Sequence, residues 1–201
     1  SLSIDACYQN TYSQTYGSSG NVNCIQASLF DLPLRKEIFD GIYCMGVIQH
    51  TPQPSELIRL LPHFLKPDGR LIYNFYESGV WSRLQLIKYG FRLITPYLPI
   101  KFTLTLARIL VSIFFPLTKW LSSIPKARLL NHFMPIAAVH NHQLTAEQQR
   151  AWTLLDTFDW YGARYEKRQS HRGVANILRG VGMTQVSSEP GLVWAKKPKK
   201  F

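Results

Sequence analysis

Acidic side chains are scarce in this chain, and their scarcity is local. Residues 1–80 hold seven Asp and Glu against five Lys and Arg, whereas residues 81–150 hold nine basic residues and one acid, Glu147. The formal net charge of +11 therefore belongs to the second half. Charge so placed suits an anionic partner, whether lipid head groups, an acidic substrate or nucleic acid. Cysteine is scarce as well. Cys7, Cys24 and Cys44 lack metal-ligand spacing, and neither CxxC nor HExxH occurs. A zinc centre and a disulfide scaffold are thus not what organises the fold, and a reducing cytoplasm is the expected setting. His50, His63, His132, His140, His142 and His171 are scattered, and no metal is expected. SLSID has neither the basic head nor the apolar core of a secretory signal. No Gly-x-Gly-x-Gly loop is present, so the usual glycine-rich backbone cradle for a nucleotide is missing from these residues. What is present in quantity is apolar: 46% hydrophobic residues, enough to pack one domain over 1–201.

The densest pattern is FDGIYCMGVIQHTPQPSELIRLLPHFLKPDGRLIYNFYE, residues 39–77. IYCMGVI is a short apolar run with β-branched residues, which predicts a strand buried on both faces. Pro52 and Pro54 punctuate a loop, and Ser55 is a candidate helix cap. Leu57, Leu60, Leu61, Phe64 and Leu65 then recur at helical spacing, with Pro62 tightening the last turn. KPDG ends that helix through Pro67 and Gly69, and RLIYNFY predicts a second buried strand. Strand, helix and strand in this order imply a parallel, right-handed crossover.

These pieces resemble the middle of a class I S-adenosylmethionine-dependent methyltransferase. The FD opening, the GVIQHTPQP loop and FLKPDGRLIY are similar to that family's fourth strand, following loop and fifth strand. NVNCIQASLFDLP resembles the third strand and adenine-side loop, and GVANILRGVGMTQVSSEPGLVWAKKP resembles the last helix and closing hairpin. The resemblance implies an α/β fold: a Rossmann-like, mostly parallel sheet with an antiparallel C-terminal hairpin. A helical insertion at 80–150 separates the fifth strand from the last helix. Strands are expected at Ser1–Asp5, Val22–Gln26, Phe39–Val47, Arg70–Tyr76, Met183–Glu189 and Leu192–Lys196. S-adenosylmethionine is the implied cofactor, with Asp5 on its ribose, Ser28, Leu29 and Phe30 around its adenine, and Gly46 and Val47 against it. Ser28 stands where related sequences often carry an aspartate. The family's first strand and glycine loop are not among these residues, so the chain is expected to be part of a longer protein and inactive alone.

Three residues are candidates for the chemistry. His50 follows a strand at the carboxyl edge of a parallel sheet, where open α/β folds bind ligands, and its imidazole can take a proton. Asp159 and Tyr165 lie in LLDTFDWYGARYE, whose carboxylates and rings suit an acceptor pocket. In the insertion, Phe102, Leu106, Ile109, Leu110, Ile113, Phe114, Leu117, Trp120 and Leu121 form one broad apolar face, with Pro116 expected to kink or divide the helix. That face is expected either to pack as a lid or to make peripheral membrane contact through 102–121. The function expected is methyl transfer to a small-molecule, hydrophobic or lipid-like acceptor. The alternatives are an RNA-modifying methyltransferase, against which the interleaving of basic and apolar residues speaks, and a non-catalytic membrane-associated protein with a decayed fold.

Overall fold

The computed structural model describes residues 5, 9, 23–79, 85–141 and 143–199. Its sheet contains β1 (Phe39–Met45), β2 (Leu65–Asn74), β3 (Thr184–Glu189) and β4 (Leu192–Lys196), in the order β1-β2-β4-β3. β1 and β2 pair in parallel, joined by helix α1 (Pro54–Leu60). β4 inserts antiparallel between β2 and β3. The hairpin turns at Pro190-Gly191, where Gly191 has φ of 79°, a conformation that costs glycine little. This is the expected Rossmann-like arrangement, with a parallel crossover closed by an antiparallel hairpin.

Local chemistry explains the crossover. Pro54 takes the first helical position with Gln53, not Ser55, at the cap; its ring presets the helical φ there and its missing N–H costs nothing. Pro62 cannot continue α1, and the chain tightens into a 3-10 turn over Leu61–Phe64. Leu57, Ile58, Leu61 and Leu65 are buried with Leu71, Tyr73 and Val193 and with Val174, Ala175 and Leu178 of α5 (His171–Gly180). The Tyr73 hydroxyl, inside this core, donates to the Ile58 carbonyl at 3.2 Å.

Several expectations are corrected. KPDG is not a turn ahead of the second strand but a bulge within it. Pairing jumps from Phe39↔Leu65 to Gly41↔Arg70, and Asp68 takes φ of 69°. β1 is not buried on both faces. Cys44 points into the core while Tyr43 and Met45 are exposed, because β1 is the sheet's edge among the described residues and one of its faces lacks a covering layer there. Of the strand expected at 22–26, residues 23–26 form none and residue 22 lies outside the described residues; among the described residues no ladder partner stands beside β1 on that side. Residues 1–4 lie outside the described residues, and Asp5 is helical and exposed rather than the end of a strand.

The bulge makes a testable contact. A Cβ on Gly69 would lie 2.9 Å from the Lys66 carbonyl oxygen and 3.2 Å from that of Asp40, both backbone atoms that cannot swing aside. Gly69→Ala is expected to cost about 1–3 kcal/mol in urea unfolding.

The insertion forms a second, helical body from α2 (Leu86–Arg92), α3 (Ile100–Ser123) and α4 (Ala146–Gly162). A boundary at residue 150 would cut α4, which begins with a capping box between Thr145 and Gln148. Leu110, Val111 and Phe115 of α3 pack with Ile136 and with Tyr161 of α4. Pro116 lies inside α3, which runs unbroken through it. The broad apolar face expected of this helix divides in two. Leu110 and Leu121 are buried with Ala107, Val111 and Thr118, whereas Phe102, Ile109, Ile113, Leu117 and Trp120 are exposed. The buried stripe contains alanine and threonine because α4 approaches closely there, so polarity alone did not mark it.

Candidate active site

The site is assembled by a strap, residues 163–170, that leads from α4 back to the sheet. Backbone bonds lay it along the carboxyl ends of β1 and β2: Lys167 N–H donates to the Gln49 carbonyl at 2.8 Å and Gln169 N–H to the Tyr76 carbonyl at 3.0 Å. Arg92 of α2 donates to the carbonyls of Trp160 and Ala163, satisfying acceptors that the end of α4 leaves open. The last turn of α4 is thereby held over the loop after β1.

His50 and Asp159 meet here, 109 positions apart in sequence. His50 Nε2 lies 3.1 Å from Asp159 Oδ2, and its Nδ1 lies 3.0 Å from the Tyr165 carbonyl oxygen. The Tyr76 hydroxyl donates to the same Asp159 Oδ2 at 2.6 Å, and its ring meets the His50 ring edge-on. Both imidazole nitrogens thus face acceptors, which favours the doubly protonated ring. Burial opposes that charge, but the bonds to Asp159 and Tyr165 outweigh it, and the His50 pKa is raised above its ordinary 6.5. Burial pushes the Asp159 carboxyl up, while His50 and Tyr76 pull it down further, leaving it below the usual value. Neighbouring Asp156 is raised by burial and by the Asp159 charge. Tyr165 joins the cluster through its backbone carbonyl. Tyr76 completed the site unforeseen. Tyr76 was hidden in a run that reads as core strand, whereas Asp156 belongs to the LLDTFDWYGARYE stretch whose carboxylates and rings suit an acceptor pocket.

A cavity of about 770 Å³ opens beside this cluster. Tyr76, Asp156 and Trp160 line it on one side, and Ser122, Arg128, Asn131, His132, Ala138 and His140 of the insertion on the other. α4 shapes its wall: Thr157 and Thr153 accept from the N–H groups of Ala137 and Val139, and the Tyr161 hydroxyl donates to the Pro135 carbonyl. Asn131 Oδ1 is shielded from solvent and has no hydrogen-bond partner, whereas the His140 ring on the same wall engages the Gln149 side chain. Buried polar groups like Asn131 Oδ1 are normally satisfied, so its position in a cavity wall suits a polar ligand atom.

The residues expected to hold the cofactor are unequally placed. Gly46, directly after β1, has φ of 70°, and nothing lies within 4 Å of where a Cβ would be. Ligand can approach the backbone there. Leu29 and Val47 share an apolar hollow of about 240 Å³ along β1 with Ile42 and Tyr43, suited to a flat ring, and Phe30 packs against the core beside it. These four residues fit the adenosyl end of S-adenosylmethionine. The Ser28 hydroxyl instead accepts from Phe30 N–H within its own turn at 3.3 Å. Asp5 is exposed, with flanking residues outside the described ones.

Behind the site lies a buried ionic cluster that the sequence did not reveal. Lys88 is 0% exposed and its Nζ lies 2.6 Å from an oxygen of Glu166, whose side chain is 1% exposed. Arg168 and Arg92 approach the same carboxylate at 3.1 and 3.8 Å. Lys88 Nζ is also 4.3 Å from the centroid of the Trp160 ring, a cation–π contact. Three cations around one carboxylate leave an excess of positive charge, and Lys88 contributes to holding Asp159 ionised.

Residues 3–73 match the family described as "Methyltransferase domain". That match spans the loop, β1, Gly46 and His50, and the sheet around it has the parallel crossover and antiparallel hairpin already described. This part of the chain is similar to a methyltransferase domain, and the sheet it enters has a Rossmann-like arrangement. Curated relatives align over the same kind of short stretch. A ubiquinone biosynthesis O-methyltransferase of Neisseria meningitidis serogroup C is 33% identical over 49 residues, 24% of this chain and 21% of the relative. A tRNA U34 carboxymethyltransferase of Syntrophotalea carbinolica is 37% identical over 51 residues, 25% of this chain and 16% of the relative. The chain thus aligns with about a fifth of the length of these relatives. Among solved structures, an S-adenosylmethionine-dependent methyltransferase of Methanosarcina mazei superposes with a TM-score of 0.49 at 13% identity, over 100% of this chain and 79% of that one. S-adenosylmethionine is the cofactor that this methyltransferase family implies.

Proposed function

We propose that the protein transfers a methyl group from S-adenosylmethionine to an oxygen of a small, hydrophobic, lipid-like acceptor held between the insertion and Tyr76. The observation that carries this reading is a junction. The large cavity reaches Tyr76 and Asp156, these adjoin the Asp159–His50 pair, and His50 follows Gly46 by four residues at the carboxyl edge of β1. The cofactor, when bound, supplies an electrophilic methyl group on a sulfonium, and the protein's task is alignment, exclusion of water and removal of the acceptor's proton.

This chain's residues divide that task. The Tyr165 carbonyl fixes the proton on His50 Nδ1, so that loss of the imidazolium proton opens a lone pair on Nε2, on the side shared with Asp159 and Tyr76. The pair then accepts the proton of an acceptor hydroxyl, with the charge spread over His50 and Asp159. Trp160 and the insertion wall exclude water. Asn131 offers an unsatisfied Oδ1 to a second polar substituent of the acceptor. The Neisseria relative is an O-methyltransferase of ubiquinone biosynthesis, which agrees with an oxygen acceptor here. An RNA acceptor fits less well, because the exposed cations of α3 share its surface with a stripe of large, mainly aliphatic residues instead of forming a basic-aromatic surface. The setting proposed is cytoplasmic and peripheral to the membrane.

The test is S-adenosylhomocysteine release by the full-length protein, supplied in turn with hydroxylated aromatics bearing alkyl tails, the same rings without tails, and tRNA. Release is expected with the tailed phenols. Release with tRNA alone would replace this reading by the RNA-modifying one.

A further inference from the structure

α3 has three faces where an ordinary lid helix has two. Ala107, Leu110, Val111, Phe115 and Thr118 are buried, on the side that packs with α4. Roughly 130° round the helix axis, Phe102, Ile109, Ile113, Leu117 and Trp120 form a second apolar stripe that lies in solvent. Phe102, Ile113 and Trp120 are 67%, 62% and 61% exposed. On the remaining side Lys101, Arg108 and Lys119 repeat at spacings of seven and eleven residues, and all three are exposed. No Asp or Glu occurs anywhere from residue 78 to residue 146.

An exposed apolar stripe of this length is uncommon on a soluble monomer and marks an interaction surface. Charge selects the occupant. A stripe of cations beside a stripe of large apolar side chains matches a surface whose acyl layer lies below a plane of phosphates, and the absence of acids removes the repulsion such a surface would otherwise meet. By length and composition alone α3 could cross a bilayer. Arg108 near its middle and the side packed against α4 do not suit lipid on all sides, whereas they suit a helix lying in the surface plane.

We infer that α3 docks in the plane of an anionic lipid surface, with Phe102, Ile109, Ile113, Leu117 and Trp120 at the acyl boundary and Lys101, Arg108 and Lys119 at the phosphates. The docking face leads to the acceptor cavity. Trp120 and Lys119 line a cavity of about 480 Å³ together with Ser122 and His140, and Ser122 and His140 also line the larger cavity that reaches Tyr76. A lipid-dissolved acceptor can therefore pass from the surface at Trp120 to Tyr76 along a continuous wall. This route rests on the proposed methyl transfer; the docking does not.

Flotation of the full-length protein with vesicles of phosphatidylcholine, alone or mixed with phosphatidylglycerol, tests it. Co-flotation with the anionic vesicles is expected, weakening as salt rises. Phe102→Ser with Ile113→Ser is expected to lower partition about tenfold or more. Lys101→Gln with Lys119→Gln is expected to abolish the preference for the anionic vesicles. Circular dichroism of both variants should be unchanged, since all four side chains lie at the surface. Absence of co-flotation with anionic vesicles would overturn the inference, as would flotation indifferent to Phe102→Ser with Ile113→Ser. A dimer that these substitutions dissociate, without flotation, would assign the stripe to a second copy and overturn it too. If flotation behaves as stated but no acceptor is methylated, the docking stands and the proposed chemistry fails.

Discussion

Asp159→Asn is expected to lower turnover of the full-length protein about 100-fold or more, while S-adenosylhomocysteine binding stays nearly unchanged. The carboxylate receives both His50 Nε2 and the Tyr76 hydroxyl on one oxygen. Asparagine can keep a hydrogen bond in that place but not the charge. The pH profile separates a chemical role from a structural one. Bonds to Asp159 and Tyr165 raise the His50 pKa above 6.5 against the opposing effect of burial. Turnover in the parent protein should therefore climb as pH rises through that raised value and then level off. In Asp159→Asn the remaining activity should climb at lower pH, nearer the ordinary value for histidine. Stability runs the other way. A group whose folded pKa is raised binds more protons folded than unfolded, so the contribution of His50 is complete below about pH 6.5 and is lost as pH rises through its folded pKa, whereas that of Asp159, whose pKa is lowered, is lost as pH falls through its own. Asp159→Asn should flatten that slope in urea titrations. A variant with low activity but an unshifted profile would show that Asp159 only braces the fold.

Glu166→Gln is expected to be the most destabilising single change in the domain, costing about 3–5 kcal/mol in chemical unfolding at neutral pH. Glu166 is the one carboxylate that Lys88, Arg92 and Arg168 approach together. Lys88 is fully buried, and burial lowers its pKa to about 8 even though Glu166 acts to raise it. Removing the anion leaves a lysine that can neither reach water nor find a counter-charge. The same ions connect α2 to the strap that carries Tyr165 and Gln169, so the loss should loosen the site as well as the fold. Adding Lys88→Met to Glu166→Gln should restore part of the stability, because the unpaired buried charge is then gone. No recovery in the double variant would mean that the carboxylate serves chiefly Arg168, whose guanidinium also holds the Tyr89 hydroxyl and Gln85.

Residues 39–77 disclosed the crossover because the local signals agreed: an apolar run, a proline-punctuated loop, a helical stripe tightened by Pro62, and a second apolar run; the helix cap lies at Gln53 instead of Ser55. The hairpin was legible for the same reason, through Pro190-Gly191 between two alternating strands. His50 could be placed because position after a parallel strand carries meaning by itself. Other features depend on distance in sequence. The Lys88–Glu166 pair joins residues 78 apart, Tyr76 reads as one more core aromatic, and α3 buries alanine and threonine while exposing phenylalanine and tryptophan. Periodicity reports that a helix is amphipathic, but which of two apolar stripes faces protein is decided by what packs on it. KPDG shows a similar limit. Its residue types suit a turn equally well inside a strand or before one, and the ladder with Gly41 decides between them.

The central claim is that S-adenosylmethionine binds at the carboxyl edge of β1, where Gly46 leaves the backbone open beside Leu29 and Val47. Calorimetric titration of the full-length protein with S-adenosylhomocysteine tests it most directly. The account predicts saturable one-to-one binding in the micromolar range, about −8 kcal/mol, weakened strongly by Gly46→Val in protein that remains folded by circular dichroism. Absence of binding heat, together with a melting temperature indifferent to the ligand, would contradict it.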